Sequence, residues 1–165
     1  MIVATRPGGE GVKLVLESEE ALLLSELADQ VDSVLLLGAE DDPALGRLLP
    51  NAYPDDREAA AEFARYTRDG LLDGKRQAAQ AVRDATSLDE EADGVEIVLD
   101  ESQAWGWLTF LTDLRLILAE RVGLDEDTVV AIDGDTRRDD YLRAAYEWAG
   151  FVQGSMLEVL DPTDG

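Results

Sequence analysis

The chain predicts a mainly α fold, a bundle of about four main helices with a small β hairpin or three-stranded sheet. Three observations lead there. Apolar residues recur at helical spacing over several long stretches, with capping residues ahead of them and glycine or proline behind. Alternating strand-like runs are few and short, confined to the N-terminus and the middle of the chain. Apolar residues make up 45% of 165, enough to bury a core even at a formal charge of −23, so wholesale disorder is not expected. At roughly 100 to 150 residues per domain, residues 1–165 are expected to form a single helical domain that opens with the hairpin.

The runs 2–5 and 12–16 flank Pro7, Gly8, Gly9 and Gly11, a turn-rich insert that predicts a hairpin. Ser18 then precedes Glu19 and Glu20, a cap with acids in the first turn. Leu23, Leu24, Leu27, Val31 and Val34 continue that first helix as far as Gly38. Glu40-Asp41-Asp42-Pro43 opens a short helical segment carrying Leu45, Leu48 and Leu49, closed by Pro50 and Pro54. Asp55 or Asp56 caps a helix extending to about Ala85. At about 100° per residue, Phe63, Thr67, Leu71, Gly74, Ala78, Val82 and Ala85 share one sector, which makes that sector the expected buried face. Gly70 and Gly74 mark a kink or a close helix contact. Residues 95–99 read as a third strand able to join the hairpin. Asp100 with Gln103 forms a capping-box start for a helix through Trp107, Leu111, Leu114 and Leu118, stopped by Gly123. After an acidic loop at 125–135, a last helix from about Asp139 to Leu160 is apolar almost all round, as expected of a central, mostly buried helix.

The reactive inventory is short. With no Cys there is no disulfide framework, thiolate nucleophile or redox thiol switch, and with no His the usual general base and commonest metal ligand are missing. The string from Val129 to Thr136, ending Asp133-Gly134-Asp135-Thr136, is similar to the strand and DxDx[TV] loop of haloacid-dehalogenase-type phosphotransferases. Arg137 stands where Thr or Val is required, and 28 residues after it are too few for the rest of that fold. The acidic clusters at 40–42, 89–93 and 125–127 lack the spacing of a calcium loop. No catalytic residue, metal site or cofactor is therefore expected. Residues 1–11 lack signal-peptide character and no apolar run approaches the roughly 20 residues of a membrane span, which points to a cytoplasmic protein without a membrane partner.

The charge is unevenly spread. Between Arg57 and Arg83 lie six bases, Arg57, Arg65, Arg68, Lys75, Arg76 and Arg83, against the acids Glu58, Glu62, Asp69 and Asp73, so this stretch is +2 while the remainder is −25. On a helical wheel the bases occupy one sector of about 100°. Such a stripe is either a contact for an anionic ligand or acidic partner or a face matched by acids of the chain itself, at Glu62 with Arg65, at Asp73 with Arg76, and on neighbouring helices. Trp105, Trp107, Trp148, Phe110 and Phe151 have core-like spacing, although Trp105 lies off the main stripe and is a candidate anchor for a partner. Gly150 and Gly154 would let another element approach the last helix. Asp113 and Arg115, two residues apart, must face different neighbours.

Several strings in order, Leu45-Gly46-Arg47-Leu48-Leu49-Pro50 with Tyr53-Pro54, Gly74-Lys75-Arg76, the strand-to-helix run from Val95 through Trp107-Leu108, Thr112-Asp113-Leu114-Arg115-Leu116 and Tyr146-Glu147-Trp148-Ala149-Gly150, resemble an actinobacterial family of domains of unknown function, number twenty-seventeen. The resemblance covers most of the chain. It implies a transcriptional regulator, including an oxidative-stress type called AosR, hence a non-enzymatic cytoplasmic protein working through a protein partner such as a sigma factor or RNA polymerase. A thiol mechanism for such a role is excluded by the absence of cysteine. Direct DNA contact is not expected either, since only the Arg57 to Arg83 stripe could neutralise phosphates. The competing classes are a winged-helix-like DNA binder, with the hairpin as its wing, and a carboxylate–metal hydrolase.

Overall fold

The computed structural model describes residues 1–37, 42–48, 57–89, 91–122 and 136–161; side chains are described from 70 onward in the helix that begins at Arg57 and from 137 in that beginning at Thr136. Two strands, β1 (Ile2–Thr5) and β2 (Gly11–Glu17), lead into α1 (Ser18–Leu37) and α2 (Pro43–Leu48). Then come α3 (Arg57–Ala85), β3 (Gly94–Asp100), α4 (Glu101–Val122) and α5 (Thr136–Leu160). The chain is thus mainly helical with a three-stranded antiparallel sheet in the order β1-β2-β3, and the mid-chain strand joins the hairpin at β2.

The two-residue period of a strand explains how the sheet meets the helices. Val12, Leu14 and Leu16 point inward and are fully buried, with Ile97 and Leu99 beside them on β3. Leu14 lies opposite Val3 on one side and Ile97 on the other. On the opposite face Lys13 pairs with Glu96 at 3.3 Å, and Ile2 and Val98 are exposed.

Local chemistry sets the helix starts. Asp100 and Gln103 form the expected capping box reciprocally: the Gln103 N–H donates to Asp100 Oδ1 at 2.8 Å and the Asp100 N–H to Gln103 Oε1 at 2.9 Å. Asp100→Ala should therefore cost about 1 kcal/mol, read from urea unfolding. The α1 cap falls one residue earlier than expected, because the Glu20 carboxylate accepts from the Glu17 N–H at 3.0 Å, making Ser18 the first helical residue. At α2, Asp42 Oδ1 accepts from the Ala44 N–H at 2.9 Å and Pro43 occupies the first helical position, where its missing N–H costs nothing.

Three expectations about faces are corrected. The central helix is α4, not α5: α4 buries Trp107, Phe110, Leu111, Leu114 and Leu118 and packs against α5, α2, α3, α1 and the sheet. Helix α5 buries one stripe, Leu142, Ala145, Ala149, Val152 and Met156, and leaves Phe151 63% exposed, so Phe151 is not a core residue. Among the described side chains of α3 the buried positions are Ala79 and Val82, with Thr86 just past its end also buried, while Leu71 and Gly74 are exposed. The burial sector is therefore rotated by roughly a quarter turn from the apolar sector, at about 100° per residue. Nothing lies within 4 Å of a Cβ built at Gly70 or Gly74, so neither glycine serves a close helix contact there. Of the expected close approaches on α5, Gly150 makes one, with the Arg115 guanidinium 3.3 Å from where its Cβ would stand, and Gly154 faces open space.

Candidate interaction surface

The rotation of α3 decides where its bases go. The sector that carries Lys75, Arg76 and Arg83 is the one turned toward α1 and α4, and each of the three meets an acid of the chain. Lys75 Nζ lies 2.8 Å from Asp113 Oδ1 on α4. Arg76 Nε lies 2.9 Å from Asp32 and Arg83 Nη1 2.9 Å from Asp29, both on α1. The pairing expected between Asp73 and Arg76 is not the one formed; Asp73 instead accepts from the Gln77 amide at 3.1 Å, because Arg76 points inward and Asp73 is exposed. The side chains of Arg57, Arg65 and Arg68, and the Glu62 to Arg65 pairing, lie outside the described residues, as do the strings at 129–135, 40–41 and 125–127.

Asp113 and Arg115 face different helices, as their spacing requires. Asp113 is 3% exposed and its Oδ2 has no hydrogen-bond partner. Burial pushes its carboxyl above the ordinary range, while the hydrogen bond and charge of Lys75 act in the opposite sense. Arg115 turns to α5, donating to Gln153 at 3.1 Å and stacking 4.6 Å from the Tyr146 ring centre, and Gln153 donates onward to Thr112 Oγ1 at 2.6 Å. These groups are consumed in joining helices.

Trp105 is different. It stands 48% exposed on the first turns of α4, at a shallow cleft of about 630 Å³ shared with Arg6, Glu10, Asp100, Glu101 and Ser102. A second recess of about 300 Å³, reaching Val159 and Leu160, shares the Glu10 and Glu101 walls. The hairpin register produces this meeting. Gly11 lies opposite Asp100, so the hairpin tip carrying Glu10 is delivered to the start of α4. There the Glu10 carboxyl meets that of Glu101, whose hydrogen bonding and like charge hold it above its usual range. Arg6, the nearby base, donates to the Glu10 backbone carbonyl at 3.4 Å.

Sequence reading singled out Trp105 but not Arg6, Glu10 or Glu101. The available signal was indirect: a Gly-rich hairpin turn whose tip must lie near the end of the third strand, where the capping box begins. Chemically, an exposed indole beside carboxyls that repel one another suits a cationic side chain, which would gain a π face and a charge-assisted hydrogen bond together.

Fold and surface together define a mainly helical protein on one face of an antiparallel sheet, with the described bases of its long helix paired internally and an acidic aromatic cleft at the hairpin tip. The chain belongs to the family described as Domain of unknown function (DUF2017), which it matches over residues 2–160. No curated protein and no solved structure matches it. Among the described residues no helix is long and apolar enough to cross a membrane, and no group of three or more Asp or Glu is placed to hold a metal ion.

Proposed function

We propose that this chain is a non-enzymatic regulatory or interaction protein that works in the cytoplasm by binding a basic segment of a protein partner. The partner suggested by the family resemblance is a component of the transcription machinery, a sigma factor or RNA polymerase. The observation that carries the reading is Trp105, half exposed between Glu101 and the hairpin tip. Large aromatic side chains of this kind dominate binding energy at protein interfaces. The chain's charge of −23 would speed encounter with a basic surface and make it salt-sensitive. Among the described residues of the stripe, acidic partners and nucleic-acid phosphate are disfavoured, because Lys75, Arg76 and Arg83 are occupied by Asp113, Asp32 and Asp29.

Titration of the full chain against RNA polymerase holoenzyme, with Trp105→Ala alongside, tests this. The variant should lose about 30-fold or more in affinity, the hot-spot range of 2 kcal/mol and above, with its unfolding midpoint unchanged. Binding that survives Trp105→Ala and Glu101→Lys, or that strengthens with salt, would remove the cleft as the contact.

A further inference from the structure

A cavity of about 570 Å³ lies between α1, α4 and α5, away from the Trp105 cleft. Its apolar wall is formed by Val34, Ile117, Leu118 and Leu142. Four charged residues line it, and two of them are already neutralised. Asp29 is held by Arg83 at 2.9 Å, and Arg121 by Asp42 at 3.0 and 3.2 Å. The other two, Arg138 and Glu26, form no ion pair among the described residues, although both reach the same cavity.

Tyr141 lines the same cavity as these two charges. It follows Arg138 by three residues on α5, and its phenol is pushed up by burial and by the charge of Glu26, which places that carboxylate within electrostatic reach of the ring. The α1 residues that line the cavity run from Glu26 to Val34, about 12 Å of helix axis at 1.5 Å per residue. Asp29 and Ser33 lie between them along the way.

We propose that this cavity binds a small zwitterion with an apolar body, of the class of a dipeptide with free termini. Its carboxylate meets Arg138, its ammonium meets Glu26, and its side chains rest on Val34, Ile117, Leu118 and Leu142. The other charge types fit less well. An anion would satisfy Arg138 but sit beside Glu26 in a strongly acidic protein, and a cation would leave Arg138 without a counter-charge. An uncharged apolar ligand would strip water from both groups and pair neither, which is costly. An extended dipeptide spans about 7 Å, and the long side chains of Arg138 and Glu26 can adjust to its two ends. The volume lies within the usual range for small-molecule sites.

Leucyl-leucine is the probe, titrated into the full chain by calorimetry and by thermal melting, with N-acetyl-leucyl-leucinamide as the version lacking both charges. Saturable binding of leucyl-leucine with a raised Tm is expected, and the blocked peptide should bind at least tenfold more weakly. Arg138→Gln and Glu26→Gln, both at exposed positions, should each weaken leucyl-leucine about tenfold or more, the worth of one charged hydrogen bond, while melting as the parent does without ligand. Equal binding of the blocked peptide, unchanged affinity in both variants, or no saturable response up to about 10 mM would each overturn the assignment.

Discussion

Replacing Lys75 with methionine is expected to destabilise the protein by about 3–5 kcal/mol, the cost of leaving a buried charge without its partner. Lys75 reaches from α3 to Asp113 on α4, and Asp113 is almost wholly enclosed, with one oxygen bonded to the ammonium at 2.8 Å and the other bonded to nothing. The carboxylate thus depends on one cation, whereas Lys75 keeps a partly open path to solvent, with 16% of its side chain exposed. That asymmetry predicts an ordering. Asp113→Asn should cost less than Lys75→Met, because the remaining amide is cheaper to bury than an unpaired carboxylate. The double variant Lys75→Met with Asp113→Leu should recover most of the loss. Urea unfolding of the four proteins checks the ordering, and a double variant no more stable than Lys75→Met would contradict it.

The pH dependence of this pair has a definite sign. Burial raises the Asp113 carboxyl in the folded state, so the folded protein holds that proton more tightly than the unfolded one. Its contribution is fully present below the ordinary carboxyl range and is lost as pH rises through the raised value. In Lys75→Met the opposing effect of the lysine is gone and the rise is greater. The stability gap between the variant and the parent should therefore narrow as pH is lowered from neutral toward the carboxyl range. Asp42 works in the other direction: hydrogen bonds from Arg121 and from the Ala44 N–H lower its carboxyl, and its contribution is lost as pH falls. Comparing each variant with the parent at the same pH separates the pair from such background carboxylates.

The parts of the fold that were legible in the sequence are those governed by neighbours along the chain. Asp100 and Gln103 need only three residues of spacing to form a capping box, and alternation at Val12, Leu14 and Leu16 needs only the two-residue period of a strand. Helix faces were less legible where long cationic side chains compete for burial with small apolar ones. On α3 the described part of the apolar sector includes Leu71, Gly74 and Ala78, yet burying Ala78 gains little, while Lys75 and Arg76 have long apolar stems able to cover such surface and their heads meet Asp113 and Asp32. Composition alone gives no means of ranking those two outcomes. The Glu10 and Glu101 contact was hidden for another reason: 91 positions separate the two residues, and only the pairing of β2 with β3 brings them together. Trp105 could be flagged because its departure from the helical stripe is a local property.

Gly11→Ala is the second large effect expected, about 3–5 kcal/mol, from two sources that a comparison with Gly8 can divide. Both glycines have positive φ, +80° at Gly8 and +139° at Gly11. A Cβ at Gly8 meets nothing within 4 Å, so Gly8→Ala carries only the conformational penalty of a left-handed backbone, about 1–2 kcal/mol. At Gly11 the backbone lies in a region that side chains rarely adopt, itself costing about 1–3 kcal/mol. There a Cβ would also collide with the Leu99 carbonyl oxygen and press on the Asp100 Cα. Those atoms belong to the end of β3 and the start of the α4 cap, so relief requires the hairpin to move away from α4. The same displacement would carry Glu10 away from Glu101 and open the Trp105 cleft. Gly11→Ala is therefore expected to lower the unfolding midpoint well beyond Gly8→Ala and to weaken partner binding under conditions where the variant remains folded, whereas Trp105→Ala should weaken binding alone. Equal destabilisation by Gly8→Ala and Gly11→Ala would mean that close approach to Leu99 contributes nothing, and would leave backbone conformation as the sole reason for glycine at that position.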